Sequence, residues 1–99
     1  MKEVKFNGFS LSYDETLKVG DLITSSYKGI HRIRKITFDT KLASIGYVEF
    51  EKVLTDDYLP SRKVVNGCDI SWCRRVDKAF IEELRLKFQE SIARLEALM

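Results

Sequence analysis

The segment best suited to bind a charged partner is residues 27–36, YKGIHRIRKI, where basic side chains are concentrated. This segment contains no acidic residue, and it holds four basic residues and the chain's only histidine: Lys28, Arg32, Arg34, Lys35 and His31. Arginine and lysine neutralise phosphate groups, and aromatic rings stack on unpaired bases. The segment therefore raises the question of an anionic partner.

One interpretation is a surface that binds RNA or single-stranded DNA. The opposing interpretation is a solvated strand face, because long charged side chains also protect sheet edges from aggregation. Glu49 and Glu51 are predicted on the neighbouring strand, where pairs with the arginines would cancel much of the positive charge. We expect the solvated face, and keep the nucleic-acid surface as the alternative, with these residues: Tyr27, Lys28, His31, Arg32, Arg34, Lys35, Arg74 and Arg75.

No catalytic site is predicted. Any Ser-His-Asp or Cys-His arrangement would have to use His31, which is flanked by basic residues and has no carboxylate nearby in sequence. The glycines are scattered singly, so the chain has no loop that cradles phosphate. We expect His31 to be a surface strand residue, and the protein to be neither an enzyme nor a cofactor-binding protein.

Cys68 and Cys73 are separated by four residues. On one continuous strand this spacing sends the two side chains to opposite faces, where they cannot bond to each other. A C-x4-C pair with one distant histidine also does not supply the four ligands of a structural zinc site. The sequence therefore predicts two buried free thiols and no metal site.

The composition is that of one small globular domain. The chain has 99 residues, of which 44% are hydrophobic and 32% are charged, and its net charge is +2. No apolar run is long enough to cross a membrane or to form a signal-peptide core. We expect a cytoplasmic protein with no membrane partner and no small-molecule substrate.

Two Asn-Gly pairs mark predicted turns. Apolar and polar residues alternate on both sides of Asn7-Gly8, a dipeptide that accepts the two positive φ values of a type I′ turn. A two-residue loop at this point pairs Phe6 with Phe9. The same signal at Asn66-Gly67 predicts a second hairpin.

Alternating apolar residues predict further strands. Leu22 opens one strand, and residues 47–54 form another. Between them, the apolar residues of 30–38 change phase, which requires a bulge or a sharp bend. The predicted buried core consists of Phe6, Phe9, Leu11, Leu22, Val48, Phe50, Ile70 and Trp72.

The run VGDLI, a turn with Gly29 and the run HRIRKI resemble the opening strands of an SH3-like barrel of the Tudor or KOW sort. The resemblance covers roughly residues 19–53 and implies a small closed barrel, but it carries over no functional residue. The predicted fold class is α+β. It comprises a small antiparallel SH3-like barrel or strongly bent sheet, preceded by an N-terminal β-hairpin and followed by one long C-terminal α-helix.

The long helix is predicted over residues 77–99. This segment has no glycine or proline, its apolar residues recur every three or four positions, and Asp77 is a good N-cap. We expect one domain over 1–99, with a β-rich body in 1–76. A helix of about 22 residues is about 33 Å long, so its last turns should extend beyond so small a body.

The exposed apolar end of that helix predicts an intermolecular contact. We predict a non-enzymatic macromolecular interaction module, a small adaptor or regulatory accessory protein. It would dock onto a protein partner and self-associate into a homo-oligomer through the helix. The predicted interface residues are Phe88, Ile92, Leu95, Leu98 and Met99.

Overall fold

The computed structural model describes residues 1–85 and 89–99, and within these ranges it does not describe the side chains of Phe6, Leu84, Arg85 and residues 89–91. The strands are β1 (Lys2–Phe6), β2 (Phe9–Tyr13), β3 (Leu22–Thr24), β4 (Ile30–Thr37), β5 (Tyr47–Leu54), β6 (Val65–Asp69) and β7 (Arg74–Arg75). The helices are α1 (Lys78–Arg85), α2 (Gln89–Leu98) and a short 3₁₀ helix, Ile70–Trp72. Within the described ranges, no helix has the length and apolarity needed to cross a membrane.

The N-terminal hairpin is the predicted one. β1 and β2 pair antiparallel with Phe6 opposite Phe9. Asn7 and Gly8 have φ values of 49° and 83°, as a two-residue hairpin loop with the favoured twist requires. The local Asn-Gly signal was sufficient here because the two strands are adjacent in the chain.

The remaining strands form the main sheet, an antiparallel sheet with the order β6-β5-β4-β3-β7. Among the described residues, β6 pairs only with β5 and β7 pairs only with β3, so the sheet is open. The predicted closed barrel is therefore wrong. Strand periodicity identifies strands and their faces, whereas closure requires the two edge strands to bond to each other.

The predicted irregularity in β4 is confirmed. Ile33 lies opposite Phe50 and Lys35 lies opposite Glu49, so Arg34 is an extra residue on β4. A bulge of this kind moves the following side chains to the other face of a strand. It places Ile36 against the same core as Ile33.

The second Asn-Gly pair does not form a turn, and the predicted hairpin there is wrong. Asn66 and Gly67 lie inside β6, opposite Phe50 and Glu49 of β5. A Cβ atom on Gly67 would overlap the ring of Tyr47, so the glycine makes room for that side chain. Pairing with a distant strand and packing under an aromatic ring overrode the local turn propensity.

Both faces of the main sheet are covered at its centre. Leu22 and Ile23 are consecutive and therefore point to opposite faces, yet both are buried. The first core consists of Tyr13, Leu17, Ile23, Ile33, Val48, Phe50, Ile70 and Cys73. The second core consists of Leu22, Ile30, Leu54, Val76 and Leu95.

The predicted core is confirmed in part. Leu22, Val48, Phe50 and Ile70 are buried. Leu11 is half-buried, and the side chain of Phe6 is outside the described residues. Two members of the predicted core were wrong: Phe9, next to the hairpin turn, is 71% exposed, and Trp72, on the 3₁₀ helix, is 66% exposed. Strand alternation was extended to Trp72, but the strand ends before it.

The predicted single long helix is wrong. Lys78 at the start of α1 and Met99 just beyond α2 line one cavity, so the second helix returns beside the first. In one continuous helix these residues would be about 30 Å apart. The turn-back lets both helices bury apolar residues on a small body. The predicted N-cap is confirmed, because the Phe80 amide donates to Asp77 Oδ1 at 3.0 Å.

We predict that Phe50→Ala lowers the free energy of unfolding by about 3–5 kcal/mol, because the ring is fully buried in the first core. Urea denaturation measures this loss. Phe9→Ala is the matched control, and it should change stability by less than about 0.5 kcal/mol because its ring is largely exposed. Equal effects of the two changes would contradict the assigned strand faces.

We predict that Leu95→Ala costs about 2–5 kcal/mol, because Leu95 is fully buried in the second core of its own chain. Met99→Ala is the control, since Met99 is 63% exposed. Chemical denaturation of both variants gives the comparison. A near-neutral Leu95→Ala would mean that α2 does not pack on the main sheet.

Candidate functional site

The histidine of the basic segment lies inside the protein. His31 is 0% exposed, and its ring centroid is 4.6 Å from that of Phe50. Neither ring nitrogen has a hydrogen-bond partner among the described residues. Burial, and secondarily the charge of Lys52 opposite it on β5, lower the pKa of His31 to about 4. The prediction of a surface residue is wrong.

The two arginines of β4 are engaged with the protein itself. Arg32 is half-buried, and its Nη1 donates to the carbonyl oxygen of Gly20 at 2.8 Å. Arg34 Nε lies 4.0 Å from Glu49 Oε2, so the predicted cross-strand pairing with β5 is present. Both guanidinium groups therefore already have a partner within the protein.

The arginines of β7 are also paired. Arg74 Nη2 lies 2.7 Å from Glu83 Oε1 of α1, a contact that raises the pKa of Arg74. Arg75 Nη1 lies 3.0 Å from Asp21 Oδ2, and Arg75 Nε lies 3.4 Å from Asp14 Oδ2. The pKa of Asp14 is lowered despite its partial burial, by hydrogen bonds from Thr16 and by the charge of Arg75.

The predicted nucleic-acid residues are therefore divided among several environments. β3 separates β4 from β7 in the main sheet. Arg32 and Arg75 nevertheless line one cavity, where Arg75 is paired with Asp21. Tyr27 is 43% exposed, and its ring lies 5.9 Å from that of Phe50. Lys28 and Lys35 are exposed. Nucleic-acid binding stays a prediction, but the structure does not gather these eight residues on one free cationic face.

The residues predicted for a helix-mediated interface belong largely to the chain's own core. Ile92 and Leu95 are buried, and Leu98 is half-buried against the second core. Met99 is exposed, and Phe88 is outside the described residues. The expectation that the end of the helix extends beyond the body is wrong, because α2 folds back onto it. Self-association itself stays a prediction.

The two cysteines meet, although the spacing predicted opposite faces. Their Sγ atoms are 3.8 Å apart, because the 3₁₀ helix turns the chain between Cys68 and Cys73. Both thiols are free, and Cys73 is buried while Cys68 is half-buried. Among the described residues, no three His, Cys, Asp or Glu side chains converge as metal ligands.

A cleft lies between the N-terminal hairpin and the 3₁₀ helix. We call it the Trp72 cleft; its volume is about 490 Å³, and it is lined by residues 10–12 of β2 and by Ser44, Asp69, Ser71 and Trp72. This volume is within the range of about 300–1,000 Å³ typical of ligand pockets. The lining combines one large aromatic ring, several hydroxyl groups and one carboxylate.

One wall of the Trp72 cleft is held by hydrogen bonds to the loop before β5. The Ile70 amide donates to the Gly46 carbonyl oxygen at 2.7 Å, and the Gly46 amide donates to Asp69 Oδ1 at 3.3 Å. Ile70 is buried in the first core. These hydrogen bonds and the burial of Ile70 thus hold the start of the 3₁₀ helix in place. Trp72, at the end of this helix, points away from the core.

The other wall is formed by β2, whose second edge pairs with no strand among the described residues. In a two-residue hairpin the residues that flank the turn exchange both backbone hydrogen bonds, and such pairs then alternate with pairs that do not. With Phe6 opposite Phe9, the N–H and C=O groups of Ser10 and Ser12 point away from β1. Three consecutive β2 residues line the cleft, as expected if this edge faces it. Within the described part of the chain, β1 is the only strand paired with β2.

The sequence reasoning missed this cleft because it placed Trp72 in the core. An available signal was the run of Asp69 and Ser71 around Ile70, since Asp and Ser side chains favour local turns over continued strand. That signal predicts a break in the strand. It does not indicate which distant element lies opposite the exposed ring.

We predict that acid weakens the fold through His31. The pKa of His31 is about 4 in the folded state and about 6.5 in the unfolded state. Between these values the unfolded state binds more protons, so the free energy of unfolding decreases as the pH is lowered. The loss between pH 7 and pH 5 should be about 2 kcal/mol in urea denaturation. His31→Leu should be neutral or stabilising at pH 7, because it removes two unpartnered buried nitrogens, and should not show this loss. An identical pH dependence in both proteins would contradict the assignment.

Comparisons with known proteins do not assign this site. No protein-family model, curated protein or solved structure matches the chain. The fold-level resemblance to SH3-like domains over residues 19–53 stays a prediction. Function therefore has to be inferred from the geometry of the described residues.

Proposed function

We propose that this protein is a non-enzymatic protein-interaction module, a small adaptor or regulatory accessory protein, that binds an extended segment of a partner protein in the Trp72 cleft. The observation that carries the proposal is the 66% exposure of Trp72 beside a cleft whose opposite wall is β2, a strand with one edge unpaired among the described residues. Tryptophan is among the residues most enriched at the energetic centres of protein interfaces.

The backbone of β2 supplies the first part of the binding energy. Ser10 and Ser12 direct N–H and C=O groups away from β1, so a partner strand can add to β2 as a third strand. Main-chain hydrogen bonds of this kind bind extended peptides with little dependence on their sequence. They fix the direction and register of the bound segment.

Trp72 and the polar lining supply selectivity. A strand added at β2 directs its side chains alternately to the two faces of the hairpin sheet, and those on the side of Trp72 can make an apolar contact with the indole ring. Asp69 is the one charged residue among those lining the cleft. We therefore expect the partner segment to carry an apolar residue and, close to it, a lysine or arginine.

The non-enzymatic part of the proposal rests on the position of His31. The chain's only histidine is fully buried, lies outside the lining of the Trp72 cleft and has a pKa of about 4. Buried and held neutral, it is poorly placed to transfer protons to a bound substrate. The serines that line the cleft thus have no histidine among the lining residues to activate them.

Nucleic-acid binding through the Tyr27–Lys35 face is the alternative. It is less well supported, because Arg32 and Arg34 are engaged in the protein's own contacts. The exposed Tyr27, Lys28 and Lys35 are what remains in its favour. The test below separates the two functions.

We predict that selection from a displayed library of random 10-residue peptides yields binders that use Trp72. Trp72 is the chain's single tryptophan, so binding can be followed by its fluorescence and, for variants, by calorimetry. Trp72→Ala should weaken binding about 30-fold or more, as expected for loss of about 2 kcal/mol at an interface centre. Ser12→Pro should also weaken it, because proline removes an outward N–H without breaking the pairing with β1.

The matched control is Tyr27→Ala, which removes an exposed ring outside the cleft and should leave peptide affinity unchanged. Thermal melting of each variant verifies that it is folded. Enriched peptides that bind Trp72→Ala as tightly as the unmodified protein would overturn the proposal. Salt-sensitive binding to single-stranded RNA that is lost in the Arg32→Ala, Arg34→Ala double variant would instead favour the alternative.

A further inference from the structure

The contact between Cys68 and Cys73 brings two thiols together at the ends of the 3₁₀ helix. The Sγ atoms are 3.8 Å apart, and a disulfide bond is about 2.05 Å long, so the two atoms must approach by about 1.8 Å to bond. Cys68 is near the end of β6, and Cys73 directly follows Trp72. Closing the bond would join two residues that the fold has already placed in contact.

The two thiols differ in their surroundings. The hydrogen-bonding contact with Cys73, with others from Ser26, lowers the pKa of Cys68 although burial and Asp69 oppose the shift. The same hydrogen bond, burial and the nearby negative charges raise the pKa of Cys73. Cys68 is also the more exposed of the two. Of the two thiols, Cys68 therefore loses its proton more readily.

We propose that Cys68 and Cys73 are a redox-modification site, in which a hydroperoxide converts the two contacting thiols into a reversible intramolecular disulfide. The Cys68 thiolate attacks the terminal peroxide oxygen; the O–O bond breaks, and the leaving alkoxide or hydroxide takes a proton. Cys68 is then a sulfenic acid. Cys73 Sγ attacks Cys68 Sγ, the S–O bond breaks, and the thiol proton of Cys73 leaves with the hydroxide as water. A dithiol reductant returns both electrons.

The site lies next to the Trp72 cleft but does not depend on the proposed partner. Asp69 and Trp72 are within the segment that the disulfide would close, and both line the cleft. Oxidation should therefore alter the surroundings of the chain's single tryptophan. Thiol chemistry is measured without any bound peptide, so failure of this site and failure of peptide binding are separate results.

The test is exposure of the full chain to a small excess of hydrogen peroxide at pH 7. Titratable thiols should fall from two to none, and the intact mass should drop by about 2 Da, the loss of two hydrogens on disulfide formation. Trp72 fluorescence should change in parallel, and dithiothreitol should reverse all three signals. Retention of both thiols, stable oxygen adducts located on a cysteine or disulfide-linked dimers on a non-reducing gel would overturn the proposal.

Single variants establish the order of events. Cys73→Ser should gain one oxygen, about 16 Da, trapped by dimedone at Cys68, because no resolving thiol remains. Cys68→Ser should stay reduced under the same exposure. Equal reactivity of the two variants would overturn the assigned roles.

The reaction should also be faster in the folded chain than in urea, and equal rates would show that the fold contributes nothing.

Discussion

The organisation of the protein depends on the burial of both faces of the central strand pair, β4 and β5. Val48 and Phe50 point into the first core, whereas Ile30 and Leu54 point into the second. Each such side chain contributes roughly 1.5–3 kcal/mol when it leaves water. Each face of the strand pair is packed against other elements. Tyr13 and Leu17 pack on one face, and Val76 and the α2 residue Leu95 pack on the other. The helices fold back because an extended helix would leave most of its apolar residues in solvent.

The burial of both faces also explains where the charged side chains lie. When both faces are covered at the centre, charged side chains are confined to the rim of the sheet and the loops, where they meet each other. Arg34 approaches Glu49 across neighbouring strands, and Arg75 binds Asp21 from the edge strand. His31 shares β4 with Arg34 but is buried. Part of the positive charge of the basic segment is therefore offset within the protein, at Arg34.

The 3₁₀ helix concentrates the functional features in a short stretch of chain. Its first residue, Ile70, is anchored in the first core, and its last, Trp72, is exposed. The same turn brings Cys68 and Cys73 into contact and sets Asp69 against the loop before β5. A continuous strand would have buried alternate residues and separated the thiols. The proposed binding cleft and the proposed redox site therefore have a common structural origin.

The sequence by itself determined the features that depend on neighbours in the chain. The Asn7-Gly8 hairpin, the bulge at Arg34 and the Asp77 cap follow from local backbone preferences and from alternation within one strand. Tertiary structure decided what depends on distant partners. Asn66-Gly67 became strand, although its dipeptide favours a turn, because β5 offered a full ladder of hydrogen bonds and Tyr47 needed the space above the glycine. The burial of His31 and the exposure of Trp72 were likewise set by which elements cover each face, since local patterns specify the sides of a strand but not what packs against them.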